Sequence, residues 1–306
     1  MSSLLVFPGQ GAQRAGMLHG LAPQVLDLAS EVLGEDVLQL DSAEALQSTR
    51  AVQVCLLIAG VAASRRLLEQ APAPDYVAGL SIGAYPAAVV AGALGFEDAL
   101  RLVSLRGELM QQAYPRGHGM TAIIGLDLAA VEALLAQVHS DRTPVYLANI
   151  NADNQVVIAG SDEAMATVAR HAKNQGAGKA CRLAVSVPSH CPLLEAPART
   201  LAQAFADVPL RAPVLGYLSG SRARPVVNPQ ALRDDLAFNM CRVVDWRGTV
   251  QSAYERGVRL QIELPPGAVL TGLARRVFES GTVMAFDGAR LDTLQALLAE
   301  EGRRQP

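Results

Sequence analysis

The chain has little cysteine, no run long enough to cross a membrane and no large charge of one sign. Its four cysteines, Cys55, Cys181, Cys191 and Cys241, form no CxxC pair and have no histidine at metal-ligand spacing. That scatter excludes a disulfide-stapled scaffold and reads as reduced thiols, with no structural metal expected. The most apolar stretch, Ala51 to Ala63, stops at Ser64-Arg65-Arg66. It is shorter than the roughly 20 residues of a membrane span, so a buried helix is expected and a membrane is not. No leader-like segment precedes the first strand, and a cytoplasmic location is the expectation. The formal net charge is -3 with 18% charged residues, which offers no basic face to nucleic acid and no match to an acidic lipid surface. Internal repeats and low-complexity tracts are also missing. What is present is 50% hydrophobic residues over 306 positions, enough for one large domain with a sizeable core that carries a smaller one.

The stretch around which the chain is organised is Tyr76-Val77-Ala78-Gly79-Leu80-Ser81-Ile82-Gly83-Ala84. Apolar β-formers lead into G-x-S-x-G, and the small-residue run 84–94 has the composition of a helix packed closely on a sheet, the pattern of a nucleophile elbow. Glycine is needed on either side of the serine because strand and helix approach too closely there for a Cβ. The Ser81 hydroxyl is then lifted clear of the chain. It stands at a helix N-terminus, where the backbone N–H of Ile82 favours negative charge growing on a carbonyl oxygen. The pentapeptide by itself is equally a plain Gly/Ser turn; the strand before it and the helix after it favour the elbow.

Ser3-Leu4-Leu5-Val6-Phe7 reads as a buried strand that breaks at Pro8 into Gly9-Gln10-Gly11-Ala12-Gln13. A dinucleotide fingerprint is excluded, because the third glycine position holds Arg14 and the acid nearest to ribose distance, Glu31, falls in a helix. Gln10 is either a pocket residue or a polar turn residue held by solvent. Helical spacing covers 22–33, 43–68 and 96–113, the last with Arg101 and Arg106 among apolar residues. Pro115-Arg116-Gly117-His118-Gly119 then breaks the pattern. Strand 121–126, helix 128–138, strands 145–151 and 155–161, helix 162–174 and strand 180–186 follow. This β-α-β-β-α-β order predicts a ferredoxin-like subdomain over 121–186. It is inserted into an α/β-hydrolase-like catalytic domain with a mainly parallel sheet, residues 1–120 and 187–306. Beyond the join, helices are expected at 193–206, 230–240, 246–255 and 269–279, strands at 259–264 and 282–286, and an amphipathic helix at the end. The Pro/Gly/Arg stretch up to Pro229 reads as irregular.

A serine hydroxyl is a poor nucleophile until a base takes its proton. Of the five histidines, His139 and His171 sit at or in helices with polar neighbours, while His19 and His118 lie in loops that do not hold them. His190, in Ser186-Val187-Pro188-Ser189-His190-Cys191-Pro192, lies where the chain returns to the large domain, between prolines that fix the loop. It is the preferred base over a surface loop histidine. No third member is evident. Asp245 and Glu263 are possible, and so is a Ser–His dyad steadied by a backbone carbonyl.

Several separated stretches together resemble the malonyl-CoA:acyl carrier protein transacylases. They are Phe7-Pro8-Gly9-Gln10-Gly11-Ala12-Gln13, Gly79 to Gly83, Leu105-Arg106-Gly107, Ser186 to His190, and Pro266-Gly267-Ala268-Val269-Leu270-Thr271-Gly272-Leu273, in the family's order. The resemblance implies Ser81 as acylated nucleophile, His190 as general base, Arg106 as the grip on the malonyl carboxylate, and the backbone N–H groups of Gln10 and Ile82 as oxyanion hole. It places Asn239 where a main-chain carbonyl, often glutamine's, orients the histidine, although Phe238-Asn239-Met240-Cys241 departs from the usual pattern. The implied donor is malonyl-CoA, the acceptor an acyl carrier protein thiol, with no permanently bound cofactor. Leu80 and Ala84 stand where the family usually has histidine and glutamate, changing the pocket wall. In this the elbow is similar to the transacylase subunit associated with malonate decarboxylase, whose subunits then become expected partners. The fatty-acid-synthesis enzyme is the near alternative; a serine hydrolase or an inactive assembly subunit are alternatives of another class.

Overall fold

Ser2–Phe7 (β1) is apolar on both faces because both faces are covered: Leu5 and Phe7 enter one core, Leu4 and Val6 another. In the computed structural model, which describes residues 2–303, the following strands are β2 (Tyr76–Gly79), β3 (His118–Ile124), β4 (Val145–Ala152), β5 (Gln155–Ser161), β6 (Lys179–Arg182), β7 (Gly216–Ser219), β8 (Arg224–Pro225), β9 (Val244–Asp245), β10 (Val258–Glu263) and β11 (Thr282–Ala285). They make two sheets. The larger runs β11-β10-β1-β2-β7-β8 and is parallel except at the edge pair β7–β8. Active sites in such sheets gather at the carboxyl ends of the strands, and β1 and β2 deliver Gln10 and Ser81 there.

The smaller sheet runs β6-β3-β5-β4-β9. Its first four strands are antiparallel, with the two helices Leu128–Val138 and Asp162–Asn174 on one face, the ferredoxin-like arrangement. Side chains alternate as the pleat requires. Ile123, Val156 and Ile158 pack under those helices, while Met120, Ala122, Val157 and Ala159 turn the other way, toward Cys191. That second face is the one the large domain meets.

Several boundaries differ from the sequence expectation. β3 starts at His118, inside the glycine break, and β6 ends at Arg182, after which Leu183 to Val185 leave the sheet and line a cleft. β9, from well beyond the join, adds to β4 in parallel, so the small sheet takes its last strand from the large segment. The stretch read as irregular contains β7, a full member of the main sheet paired with β2. Helix 43–68 begins only at Thr49, with Ser48 as its cap, and the helix from Val269 ends at Ala274. Contrary to the expectation drawn from the shorter run Ala51 to Ala63, the whole helix Thr49–Leu68 has the length and apolarity of a membrane span, but 83% of its most apolar window is buried inside the fold, as in a core helix.

Candidate active site

Gly79 and Gly83 meet with almost nothing between them. A Cβ on Gly79 would lie 1.9 Å from the Gly83 carbonyl carbon, and one on Gly83 2.2 Å from Phe7 O. Only glycine fits either place. The turn they close holds Ser81 at φ 58°, in the left-handed region that a side chain rarely adopts. The loop after β1 is pressed against the same turn: Leu80 N–H donates to Phe7 O at 3.0 Å, and a Cβ on Gly9 would come within 2.7 Å of Leu80 Cδ2. Gln10 thereby lines the same cleft as Ser81, and Ile82 is buried beside it. The hydroxyl is less free than the sequence reading had it. Ser81 is 8% exposed and is reached through the cleft.

His190 is also held at positive φ, 64°, and is 2% exposed. Its backbone N–H donates to Met240 O at 2.7 Å, and its Nδ1 lies 2.7 Å from Asn239 O. A carbonyl only accepts, so in the neutral ring Nδ1 carries the proton and Nε2 is an acceptor. Nε2 is 2.8 Å from Ser81 Oγ, the line along which a hydroxyl proton would pass. Burial, and after it the positive charge of Arg106, push the imidazole pKa down to about 4, so the ring is neutral at pH 7 and ready to accept. The acids left open by the sequence are occupied elsewhere. Asp245 caps a helix by accepting from Gly248 N–H, and Glu263 accepts from Leu270 and Thr271 N–H. Among the described residues, His190 is the one histidine that lines the cleft.

Arg106 comes from the helix Phe96–Ala113, and Gly107 beside it explains how it gets there. A Cβ on Gly107 would lie 2.5 Å from Arg50 Cα, so this helix crosses Thr49–Leu68 at a distance that only glycine permits. The crossing sets Arg106 opposite Gln53. Arg106 Nη1 donates to Gln53 Oε1 at 2.6 Å, and Nη2 donates to Asn239 Oδ1 at 3.0 Å and to Ser81 Oγ at 3.4 Å. The guanidinium lies 5.9 Å from the centroid of the Tyr85 ring. Arg106 is 0% exposed, its Nε has no hydrogen-bond partner, and among the described residues no carboxylate pairs with it. Burial lowers its pKa to about 10, which leaves it a cation at pH 7. A buried charge without a counter-charge is costly. This one faces the nucleophile.

The sequence reading missed Gln53, and it missed the side chain of Asn239. Gln53 Nε2 donates to Gln10 Oε1 at 3.1 Å and to Met110 Sδ at 3.3 Å, so it ties Arg106 to the loop after β1. Asn239, expected to act only through its carbonyl, also donates from Nδ2 to Ser81 O at 3.3 Å. The signal for Gln53 was there: it is the one amide within the apolar run Ala51 to Ala63. The cleft itself has a volume of about 340 Å³ and is closed on its far side by the helix-free face of the small sheet, with Met120, Asn149 and Val157, all buried. Of the two unusual elbow residues, Leu80 lines the cleft; Ala84 is buried in the following helix and does not.

A strained serine at an elbow, a neutral imidazole on its hydroxyl and a helix start beside it are the parts that acyl-enzyme chemistry requires. The chain matches the acyl transferase domain model over residues 4–299 and belongs to that family. It is 40% identical to a malonyl CoA-acyl carrier protein transacylase of Haemophilus influenzae, covering 89% of this chain and 91% of that one. The transacylase of the same name from Escherichia coli K12 is 39% identical, with 92% and 94% covered. Among solved structures, FabD from Acinetobacter baumannii superposes with a TM-score of 0.92 at 37% identity, covering 98% of this chain and 99% of that one. A malonyl-transacylase in complex with a type II PKS acyl-carrier protein gives 0.90 at 37% identity, with 97% and 99% covered. Nothing in these relatives ties the chain to the malonate decarboxylase subunit that its elbow resembles.

Proposed function

We propose that this protein is an S-malonyltransferase that moves a malonyl group from malonyl-CoA, through a Ser81 ester, to the thiol of an acyl carrier protein. The observation that carries this reading is the uncompensated Arg106 cation within 3.4 Å of the Ser81 hydroxyl. A two-carbon acyl group needs no such charge; one that ends in a carboxylate does. His190 Nε2 takes the Ser81 proton as Oγ attacks the thioester carbon, the backbone N–H groups of Gln10 and Ile82 receive the oxyanion, and Asn239 O steadies the imidazolium through Nδ1. The C–S bond then breaks, and the proton passes from His190 to the departing CoA thiolate. Attack by the carrier thiol repeats these steps in reverse. Residues 1–120 and 187–306 supply the chemistry in this reading and 121–186 close the cleft over it, with Val244–Asp245 bridging the two.

The names of the relatives favour the fatty-acid-synthesis setting over malonate decarboxylase. Leu80 at the cleft wall is the observation on the other side, and the two settings differ in the carrier's arm: phosphopantetheine against phosphoribosyl-dephospho-CoA. Intact-mass analysis after mixing with malonyl-CoA tests the proposal. A stable malonyl adduct that a carrier thiol discharges supports transfer. Free malonate with no adduct makes the protein a hydrolase, and no change makes it a scaffold. Offering both carrier types to the adduct separates the settings.

A further inference from the structure

Arginines as fully buried as Arg106 are ordinarily paired with an acid. Here the protein acceptors around its terminal nitrogens are all neutral: the amide oxygens of Gln53 and Asn239 and the Ser81 hydroxyl. Gln53 is itself 0% exposed and sits on a helix whose other inward residues are almost all apolar. Its orientation is fixed at both ends. Arginine only donates, so the amide oxygen must face Arg106, and the amide nitrogen is used by Gln10 Oε1 and Met110 Sδ. One atom separates this arrangement from an ion pair. Glutamate has the same length and shape, and at position 53 it would put a carboxylate oxygen where the amide oxygen now lies, 2.6 Å from Nη1.

An amide oxygen and a carboxylate would hold the guanidinium equally well in space, but they differ in what they leave over. The amide fixes the fork by a hydrogen bond and leaves its full positive charge directed at whatever enters beside Ser81. A carboxylate would cancel that charge permanently, since an internal partner needs no desolvation at each turnover. We propose that Gln53 is a positioning residue for acyl selectivity: its neutral amide holds Arg106 without neutralising it, and the discrimination between carboxylated and plain acyl thioesters depends on that neutrality. The inference rests on the malonyl-transfer reading of the site.

The test compares wild type, Gln53→Glu and Gln53→Leu, each mixed with malonyl-CoA and with acetyl-CoA, reading the rate of Ser81 ester formation by intact mass over a range of donor concentration. Gln53→Glu should lower the malonyl kcat/KM by at least about tenfold, as expected for losing a charge-assisted contact, and the acetyl value by a smaller factor, so the malonyl-to-acetyl ratio collapses. Gln53→Leu removes a hydrogen bond but leaves the cation, which Asn239 still holds, so both rates should fall together and the ratio should stay within about threefold of wild type. A ratio unchanged in Gln53→Glu overturns the inference, and so does a ratio lost equally in the neutral Leu variant, which would mean that Gln53 only supports the fold. The Leu arm keeps its force even where the Glu variant is insoluble. A wild type that forms no malonyl ester defeats the functional reading itself, whereas a selective wild type with an equally selective Glu variant defeats only the role of Gln53.

Discussion

The two ends of the candidate site are built by different means. At the Ser81 end nearly everything is set by the backbone: two residues at positive φ, glycines whose replacement would place a Cβ 1.9–2.7 Å from a neighbour, and an imidazole oriented by a main-chain carbonyl. At the Arg106 end the geometry is carried by side chains from three separate parts of the chain, Gln53, Arg106 and Asn239, which meet only after folding. In the malonyl-transfer proposal, the first end takes up an acyl group and the second selects which one. The reactive end tolerates almost no change of shape. The selective end can be altered by exchanging one atom in a buried amide.

Ser81→Ala should break the reactive end entirely. The malonyl adduct should disappear from the intact-mass spectrum, while the unfolding free energy read from the melting curve falls by no more than about 3 kcal/mol, the ordinary range for losing the hydroxyl's bonds to His190 and to the Arg106 cation. Adduct that persists in this variant places the nucleophile elsewhere. His190→Ala comes next, with ester formation expected to slow by roughly 10²–10⁴-fold, the usual contribution of general base catalysis, and least at high pH where solvent base assists. Full activity at pH 7 would remove His190 from the mechanism.

Arg106→Ala addresses the other end and should do less to turnover but more to choice. Malonyl transfer should fall by at least about tenfold, since charged hydrogen bonds are worth roughly 1.5–3 kcal/mol, while acetyl transfer holds or rises. Arg106→Lys should lie between, because an ammonium restores the charge without the two-pronged geometry. Rates for both donors on one preparation check this. If both fall by one factor, Arg106 supports the structure and does not read the carboxylate.

The same contrast explains what the sequence discloses. The elbow is legible because its constraints are local: glycine is demanded at positions 79 and 83 by contacts within the turn and with the adjoining strand, and a helix follows at once. The order of the small subdomain is legible for the same reason, its alternating strands being separated by helical runs with capping residues such as Asp127 and Ser161. β7 is not. Gly216-Tyr217-Leu218-Ser219 is only four residues long, flanked by Pro213 and Pro225, and it becomes a strand because β2 lies beside it. The Arg106 cradle is illegible for a related reason, since Gln53 and Asn239 are far apart in sequence and neither sits in a motif that announces its partner. The role of Arg106 is implied by the resemblance alone. By its own sequence it is an arginine on an amphipathic helix, and its complete burial depends on the glycine-tight crossing at Gly107.

The two ends are also linked electrically, and the smallest of the expected effects measures that link. Burial is the larger cause of the low His190 pKa and the Arg106 cation the next, so the folded protein resists protonating the ring down to about pH 4, against 6.5 for an ordinary histidine. At pH 5.5 an ordinary imidazole is only about one-tenth neutral, whereas His190 should be almost wholly so. Ester formation from acetyl-CoA, which carries no carboxylate to confuse the profile, should therefore stay within about twofold between pH 7.5 and 5.5. The sign for stability follows from the same depression. Between pH 6.5 and about 4 the unfolded chain binds a proton at this position that the folded chain refuses, so the contribution of His190 to stability is full above 6.5 and declines as the pH falls through that window. Removing the cation in Arg106→Ala makes the imidazolium less unfavourable, and the acidic limb of the acetyl profile should move to higher pH. It should stop short of 6.5, because burial remains. A limb that stays in place would show that the charge at the selective end does not reach the base, and one that moves to lower pH would reverse the sign of the coupling on which the neutral imidazole depends.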